Sequence, residues 1–128
     1  MKFVFKKDEK LDSLVDYILS FKNLEAILLN GELGAGKTTL VSQIAKKLNI
    51  TKPIVSPTFN TILIYDKLVH IDAYKLTGDL FAYEDYFEDK LVAIEWAKNI
   101  KHDFKNYLEI NVYFDKDQNH VFEILNKE

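Results

Sequence analysis

Eight consecutive residues, Gly31-Glu32-Leu33-Gly34-Ala35-Gly36-Lys37-Thr38, constrain the fold of this chain more than any other feature. They satisfy the pattern G-x-x-x-x-G-K-[ST], whose glycines let the backbone turn tightly so that successive N–H groups face phosphate oxygens. The flanks agree with the motif. Ala26-Ile27-Leu28-Leu29-Asn30 is a short apolar run of the kind buried in a parallel sheet, and Leu40, Val41, Ile44, Ala45 and Leu48 share one helical face between Thr39 and Leu48. Strand, glycine loop and helix in this order aim the positive end of the helix dipole at an anion. Lys37 then reaches the β- and γ-phosphates of a nucleotide, and the Thr38 hydroxyl, with Thr39 beside it, is suited to ligating Mg²⁺.

The remaining chain reads as further strands around this unit. Lys2 to Lys6 alternates as a strand, and Asp8 is expected to cap a helix carrying the stripe Leu11, Leu14, Val15, Ile18 and Leu19. The helix after the glycine loop ends near Asn49, ahead of an extended segment from Thr51 to Val55. Thr61 to Tyr65 and Leu68 to Asp72 form a hairpin across Asp66-Lys67, Lys90 to Glu95 is a buried strand, and Leu108 to Phe114 pairs with His120 to Leu125. Hairpins beside a parallel βα unit imply a mixed sheet. The expected fold is a P-loop NTPase-like α/β domain over residues 1–128, a mixed β-sheet with hairpins flanked by helices.

At 128 residues there is room for one domain, so work on a macromolecule is expected to need partners. The absence of cysteine excludes disulfides, thiolate zinc sites and cysteine nucleophiles. No apolar stretch approaches a membrane span and the first five residues are too short for a signal peptide, so the expected compartment is the cytoplasm, with no membrane partner. All 17 basic residues are lysine. A planar guanidinium at the transition state of phosphoryl transfer must therefore come from another chain, or a lysine must substitute for it. The net charge of −3 argues against independent binding of DNA or RNA, which calls for a basic surface. The densest charge cluster is acidic: Asp79, Glu84, Asp85, Glu88 and Asp89 are interleaved with Phe81, Tyr83, Tyr86 and Phe87. It reads as a solvated face or as an aromatic, acidic surface for another protein.

Strand ends line the crevice beside a phosphate loop, so an apolar strand ending in a carboxylate delivers an acid to Mg²⁺ or to the attacking water. Two strands end this way, Leu68-Val69-His70-Ile71-Asp72 and Leu91-Val92-Ala93-Ile94-Glu95, and the division of labour between Asp72 and Glu95 is open at this level. His70, a lone histidine on a buried strand, reads as a structural group. In Ser56-Pro57-Thr58-Phe59 the proline fixes the backbone ahead of Thr58, whose hydroxyl is able to sense the γ-phosphate or the metal; an ordinary turn is the alternative.

The succession GELGAGKTT, SPTF, HIDAYKL and EW resembles the TsaE family, small ATPases of bacterial tRNA threonylcarbamoyladenosine synthesis, most strongly from Gly31 to Trp96. The resemblance implies that the stretch from Leu33 through Gly34, Ala35, Gly36, Lys37 and Thr38 to Thr39 binds ATP, with Asp72 near the γ-phosphate and Trp96 near the nucleotide or a partner. It implies Thr38 and Glu95 as Mg²⁺ ligands, catalytic roles for Lys37, Asp72, Glu95 and Thr58, and TsaB and TsaD as partner subunits through which tRNA is met indirectly. The chain departs from the family pattern at Lys75, where an arginine is usual, and at Ala97, where a proline is usual. It also lacks the usual basic residue of the C-terminal hairpin, around Asn119 and His120, and the threonine near Lys10 and Leu11.

The leading expectation is an ATPase that is weak alone and stimulated by partners. A small P-loop kinase is a second possibility, although neither the length nor the arginines of a lid are present. A third is an interaction module in which the nucleotide state selects a binding surface and turnover is incidental.

Overall fold

In the computed structural model, residues 1–32, 34–54 and 61–125 are described. Seven strands form one sheet in the order β1-β7-β6-β2-β5-β4-β3. They are β1 (Lys2–Phe5), β2 (Ala26–Gly31), β3 (Ile62–Tyr65), β4 (Leu68–Asp72), β5 (Leu91–Glu95), β6 (Tyr107–Phe114) and β7 (His120–Ile124). The centre is parallel, with β2 between β6 and β5 and β4 beyond β5. Antiparallel pairs close both sides: β3 on β4, and β7 between β6 and β1. The mixed sheet follows from the hairpins, because the two-residue Asp66-Lys67 link permits only an antiparallel return, with Lys67 left-handed at φ 67°.

Helices α1 (Asp12–Leu19) and α2 (Lys37–Lys47) cover one face. Leu14, Val15 and Ile18 of α1 and Leu40, Val41 and Ile44 of α2 pack there with Ile27, Leu29, Ile110 and Phe122 of the sheet. The other face buries Leu28, Val69, Ile71, Val92 and Ile94 under Leu80, Ala97 and Ile100. Side chains alternate across a strand, so Ile27 and Leu29 serve the first core while Ala26 and Leu28 serve the second. That double burial is why β2 reads as a continuous apolar run.

One local expectation is corrected. Asp8 does not cap α1; it lies in a turn at φ 65°, and the N-cap position belongs to Leu11. The backbone N–H of Leu11 donates to Gln43 Oε1 on α2 at 2.7 Å, and no side chain caps the first turn of α1. The acidic and aromatic cluster folds as a 3-10 helix over Phe81–Tyr86. It splits its aromatics: Tyr83 and Phe87 pack on the second core, while Phe81, 79% exposed, and Tyr86 face solvent. Among the described residues, no helix is long and apolar enough to cross a membrane.

Candidate nucleotide and metal site

Parallel strands carry their C-terminal ends to one edge of the sheet, and that edge gathers the motif residues. Gly31 ends β2, Asp72 ends β4 and Glu95 ends β5, with Asp72 and Glu95 side by side in register. Gly31 is required where it stands. At φ 150° it passes so close to β6 that a Cβ there would lie 2.0 Å from the carbonyl oxygen of Val112. The loop runs on through exposed Gly34 and buried Ala35 to Gly36, the N-cap of α2.

Lys37 is buried in the first turn of α2. Its Nζ donates back into its own loop, to the carbonyl oxygens of Gly31 and of Glu32, the latter at 3.0 Å, and lies 4.6 Å from the centre of the Trp96 ring. Burial pushes the Lys37 ammonium below the ordinary lysine value, against the upward pull of Glu95, Asp72 and Glu32. The cation is thus held by neutral dipoles and a π-face, which an anionic ligand can outbid. Thr38 Oγ1 donates to Glu95 Oε2 at 3.0 Å, so the two residues expected at the metal meet. Thr39 is exposed on α2.

Asp72 is half-buried, and its Oδ1 accepts the backbone N–H of Tyr74 at 2.9 Å, which fixes the chain as it leaves β4. Trp96 is half-buried in the left-handed region at φ 59°, with Tyr74 edge-on to its ring at 5.0 Å. Leu33 and Thr58, together with Ser56 and Pro57, lie outside the described residues.

Three polar residues that the sequence did not single out for the site support it. Asn30, buried at the end of β2, accepts the Lys98 N–H on Oδ1 at 3.1 Å and donates to Glu109 Oε2 at 3.3 Å, tying the turn after Glu95 to the base of the loop. His120 Nδ1 lies 2.9 Å from the carbonyl oxygen of Ala35, so this nitrogen carries the proton and donates. His70 is wholly buried with Nε2 2.6 Å from Glu95 Oε2, yet Nδ1 has no partner among the described residues. One ring nitrogen of this buried strand histidine thus engages a site carboxylate, while the other is unpartnered among the described residues. Asn30 carried the one available signal, a polar residue ending an apolar run.

No cluster of three or more His, Cys, Asp or Glu among the described residues forms a complete metal cage. One hydroxyl and one carboxylate instead match the way Mg²⁺ is commonly held, by one or two protein oxygens with water and substrate phosphates supplying the rest. A recess of about 600 Å³ opens beside the loop, lined by Asn30, Gly31, Glu32, Trp96, Val112 and Phe114 among others.

Comparison with known proteins agrees with this geometry. The family model for TsaE, threonylcarbamoyl adenosine biosynthesis protein TsaE, matches residues 5–122. A TsaE protein from Nostoc sp. is 42% identical over 96 residues, 66% of this chain and 59% of that protein. The Aquifex aeolicus TsaE protein is 35% identical over 105 residues, 77% of each. The match therefore spans less than two thirds of the Nostoc relative and about three quarters of the Aquifex one. Among solved structures, the crystal structure of Bacillus subtilis YdiB superposes with a TM-score of 0.75 at 22% identity, over 97% of this chain and 83% of that one, a likeness of fold. A family match over nearly the whole chain, on a P-loop fold whose motif residues converge at one sheet edge, means that this chain belongs to the TsaE family.

Proposed function

We propose that the chain is a Mg²⁺-dependent ATPase subunit required for N6-threonylcarbamoyladenosine modification of tRNA, binding and hydrolysing ATP to drive or reset an assembly of TsaB and TsaD. The observation that carries this reading is the meeting of Lys37, Thr38 and Glu95 at the C-terminal edge of the parallel strands. In this reading Lys37 leaves the carbonyls of Gly31 and Glu32 for the β- and γ-phosphates, and the backbone from Leu33 to Thr39 cradles them. Thr38 and Glu95 hold Mg²⁺, which supplies positive charge against the phosphate oxygens. Asp72, level with Glu95, orients the attacking water, and Thr58 senses the γ-phosphate. Trp96 flanks the nucleotide from the Lys37 side.

The chain has no arginine, so in this reading a partner subunit supplies the cation that completes the transition state, with a lysine of this chain as the alternative source. The net charge of −3 agrees with tRNA being held by other chains. Steady-state ATP hydrolysis, measured alone and with TsaB and TsaD, tests the reading, with Lys37→Ala as the blank. Weak turnover that rises with partners supports it, and turnover indifferent to them contradicts it. Lys37→Ala should weaken nucleotide binding roughly 10- to 150-fold, the loss of one charge-assisted contact. Unchanged binding would remove Lys37 from the site.

A further inference from the structure

His70 lies between Val69 and Ile71 on β4, and all three are without exposure. Such a position accommodates an apolar residue at least cost, since a buried polar atom that lacks a partner is disfavoured. His70 nevertheless stands there with Nδ1 unpartnered among the described residues, and its one side-chain hydrogen bond among them is the 2.6 Å contact from Nε2 to Glu95 Oε2. The pairing is diagonal. In the β4–β5 register His70 lies opposite Ala93, two residues before Glu95 and on the same face. The short side chain of Ala93 suits an imidazole reaching toward Glu95.

Among the described residues both side-chain donors to Glu95 fall on one oxygen: Oε2 accepts Thr38 Oγ1–H from α2 and His70 Nε2–H from β4, and Oε1 accepts from none of them. The Thr38 oxygen is itself assigned to the metal, so His70 is the donor that fixes the carboxylate without taking part in coordination. We infer that His70 is a positioning residue, holding Glu95 in the orientation in which, with Thr38, it receives the divalent cation; the inference rests on the metal site proposed above.

The test is Mn²⁺ binding to the protein–ADP complex, followed by electron paramagnetic resonance, in wild type, His70→Gln and His70→Asn. The glutamine amide nitrogen falls at the distance of Nε2, whereas that of asparagine falls at the distance of Nδ1, short of Glu95. His70→Asn should weaken Mn²⁺ binding roughly 10- to 100-fold, as loss of an outer partner of a metal ligand does. His70→Gln should restore it to within about threefold of wild type, a small part of that loss. ADP affinity without metal should be unchanged in both.

Mn²⁺ binding by His70→Asn equal to wild type, or by His70→Gln as weak as by His70→Asn, overturns the inference and leaves the metal site standing. A wild-type protein that binds no Mn²⁺ with ADP removes the metal site and this inference with it. If either variant fails to fold, ¹⁵N spectra of the wild type decide: a proton on Nε2 whose signal moves when Mg²⁺–ADP is added supports the role. A proton on Nδ1 alone overturns it.

Discussion

Thr38 and Glu95, 57 residues apart in the chain, are joined by a 3.0 Å hydrogen bond from the Thr38 hydroxyl to Oε2 of the carboxylate. The bond ties the first turn of α2 to the end of β5, and it brings the motif hydroxyl onto the one carboxylate among the described residues that is also buried. Asp72, its neighbour in register, is half-buried and engaged with the Tyr74 backbone. The geometry thereby gives the two strand-end acids different surroundings: Glu95 stands with Thr38, and Asp72 stands beside them.

Glu95→Ala and Glu95→Gln should therefore part company. Both remove the charge at the proposed metal, so Mg²⁺-dependent turnover should fall roughly 10- to 150-fold in each, from loss of a charged contact. Only the alanine variant also strands the buried His70 Nε2 and the half-buried Thr38 hydroxyl, adding about 1–3 kcal/mol of destabilisation, chiefly for the buried donor left without a partner. Urea unfolding beside a hydrolysis assay checks both halves. Normal hydrolysis by either variant moves the metal role away from Glu95.

Gly31→Ala and Gly34→Ala test the packing of the loop. A Cβ on Gly31 meets the Val112 carbonyl oxygen at 2.0 Å, whereas one on Gly34, at φ 82°, meets nothing within 4 Å. Gly31→Ala should cost about 3 kcal/mol or more, because backbone strain and a clash with backbone coincide. Gly34→Ala should cost about 1–2 kcal/mol, the price of a left-handed conformation alone. Equal losses in urea titration would contradict the close approach of β2 to β6.

The framework of the fold was legible because each core strand carries its own signal. Ala26–Asn30 and Leu91–Glu95 are apolar runs buried on both faces, and the Asp66-Lys67 and residue 115–119 turns mark hairpins. The convergence of Lys37, Thr38, Asp72 and Glu95 was legible through the motif and the acidic strand ends. The support around them was not. His70 meets Glu95 through a parallel pairing of strands 25 residues apart, and His120 meets Ala35 across 85, contacts that no local period encodes. Nor does any period announce the 3-10 helix at Phe81–Tyr86, where aromatic and acidic residues are interleaved without a regular repeat. The Asp8 cap failed because Asp8 sits in a left-handed turn three residues ahead of Leu11, which holds the N-cap position of α1.

His120 braces the phosphate loop. Its Nδ1–H holds the Ala35 carbonyl at 2.9 Å, and its ring lies 4.9 Å from that of Phe114 across the hairpin. His120→Ala should cost about 1 kcal/mol in stability, a typical net hydrogen bond, and weaken nucleotide binding about fivefold if all of it is lost from loop organisation. His120→Asn, whose amide nitrogen falls at the distance of Nδ1, should recover most of the affinity. Calorimetric titration with ADP distinguishes them. Equal affinities in all three proteins would show that the loop keeps its shape without the brace.

The same hairpin turns on Asp115, whose Oδ1 accepts the backbone N–H groups of Asn119 and Asp117 at 2.9 Å each and whose Oδ2 accepts the Asn119 amide at 3.2 Å. The Asn119 backbone bond is the chief cause holding this carboxyl below the ordinary 3.8, with the Asn119 side chain and the Asp117 N–H acting in the same sense. The sign follows from linkage: between the lowered folded value and 3.8, the unfolded chain binds more protons than the folded one, so stability rises with pH through that window. The contribution is complete above 3.8 and is lost as pH falls through the folded value. Asp115→Ala should therefore unfold at lower urea than wild type at pH 7, with a constant gap down to about pH 4 that closes below it. Urea midpoints measured across that range decide the matter, because a gap that persists unchanged into acid would mean that the carboxylate charge plays no part in holding the turn.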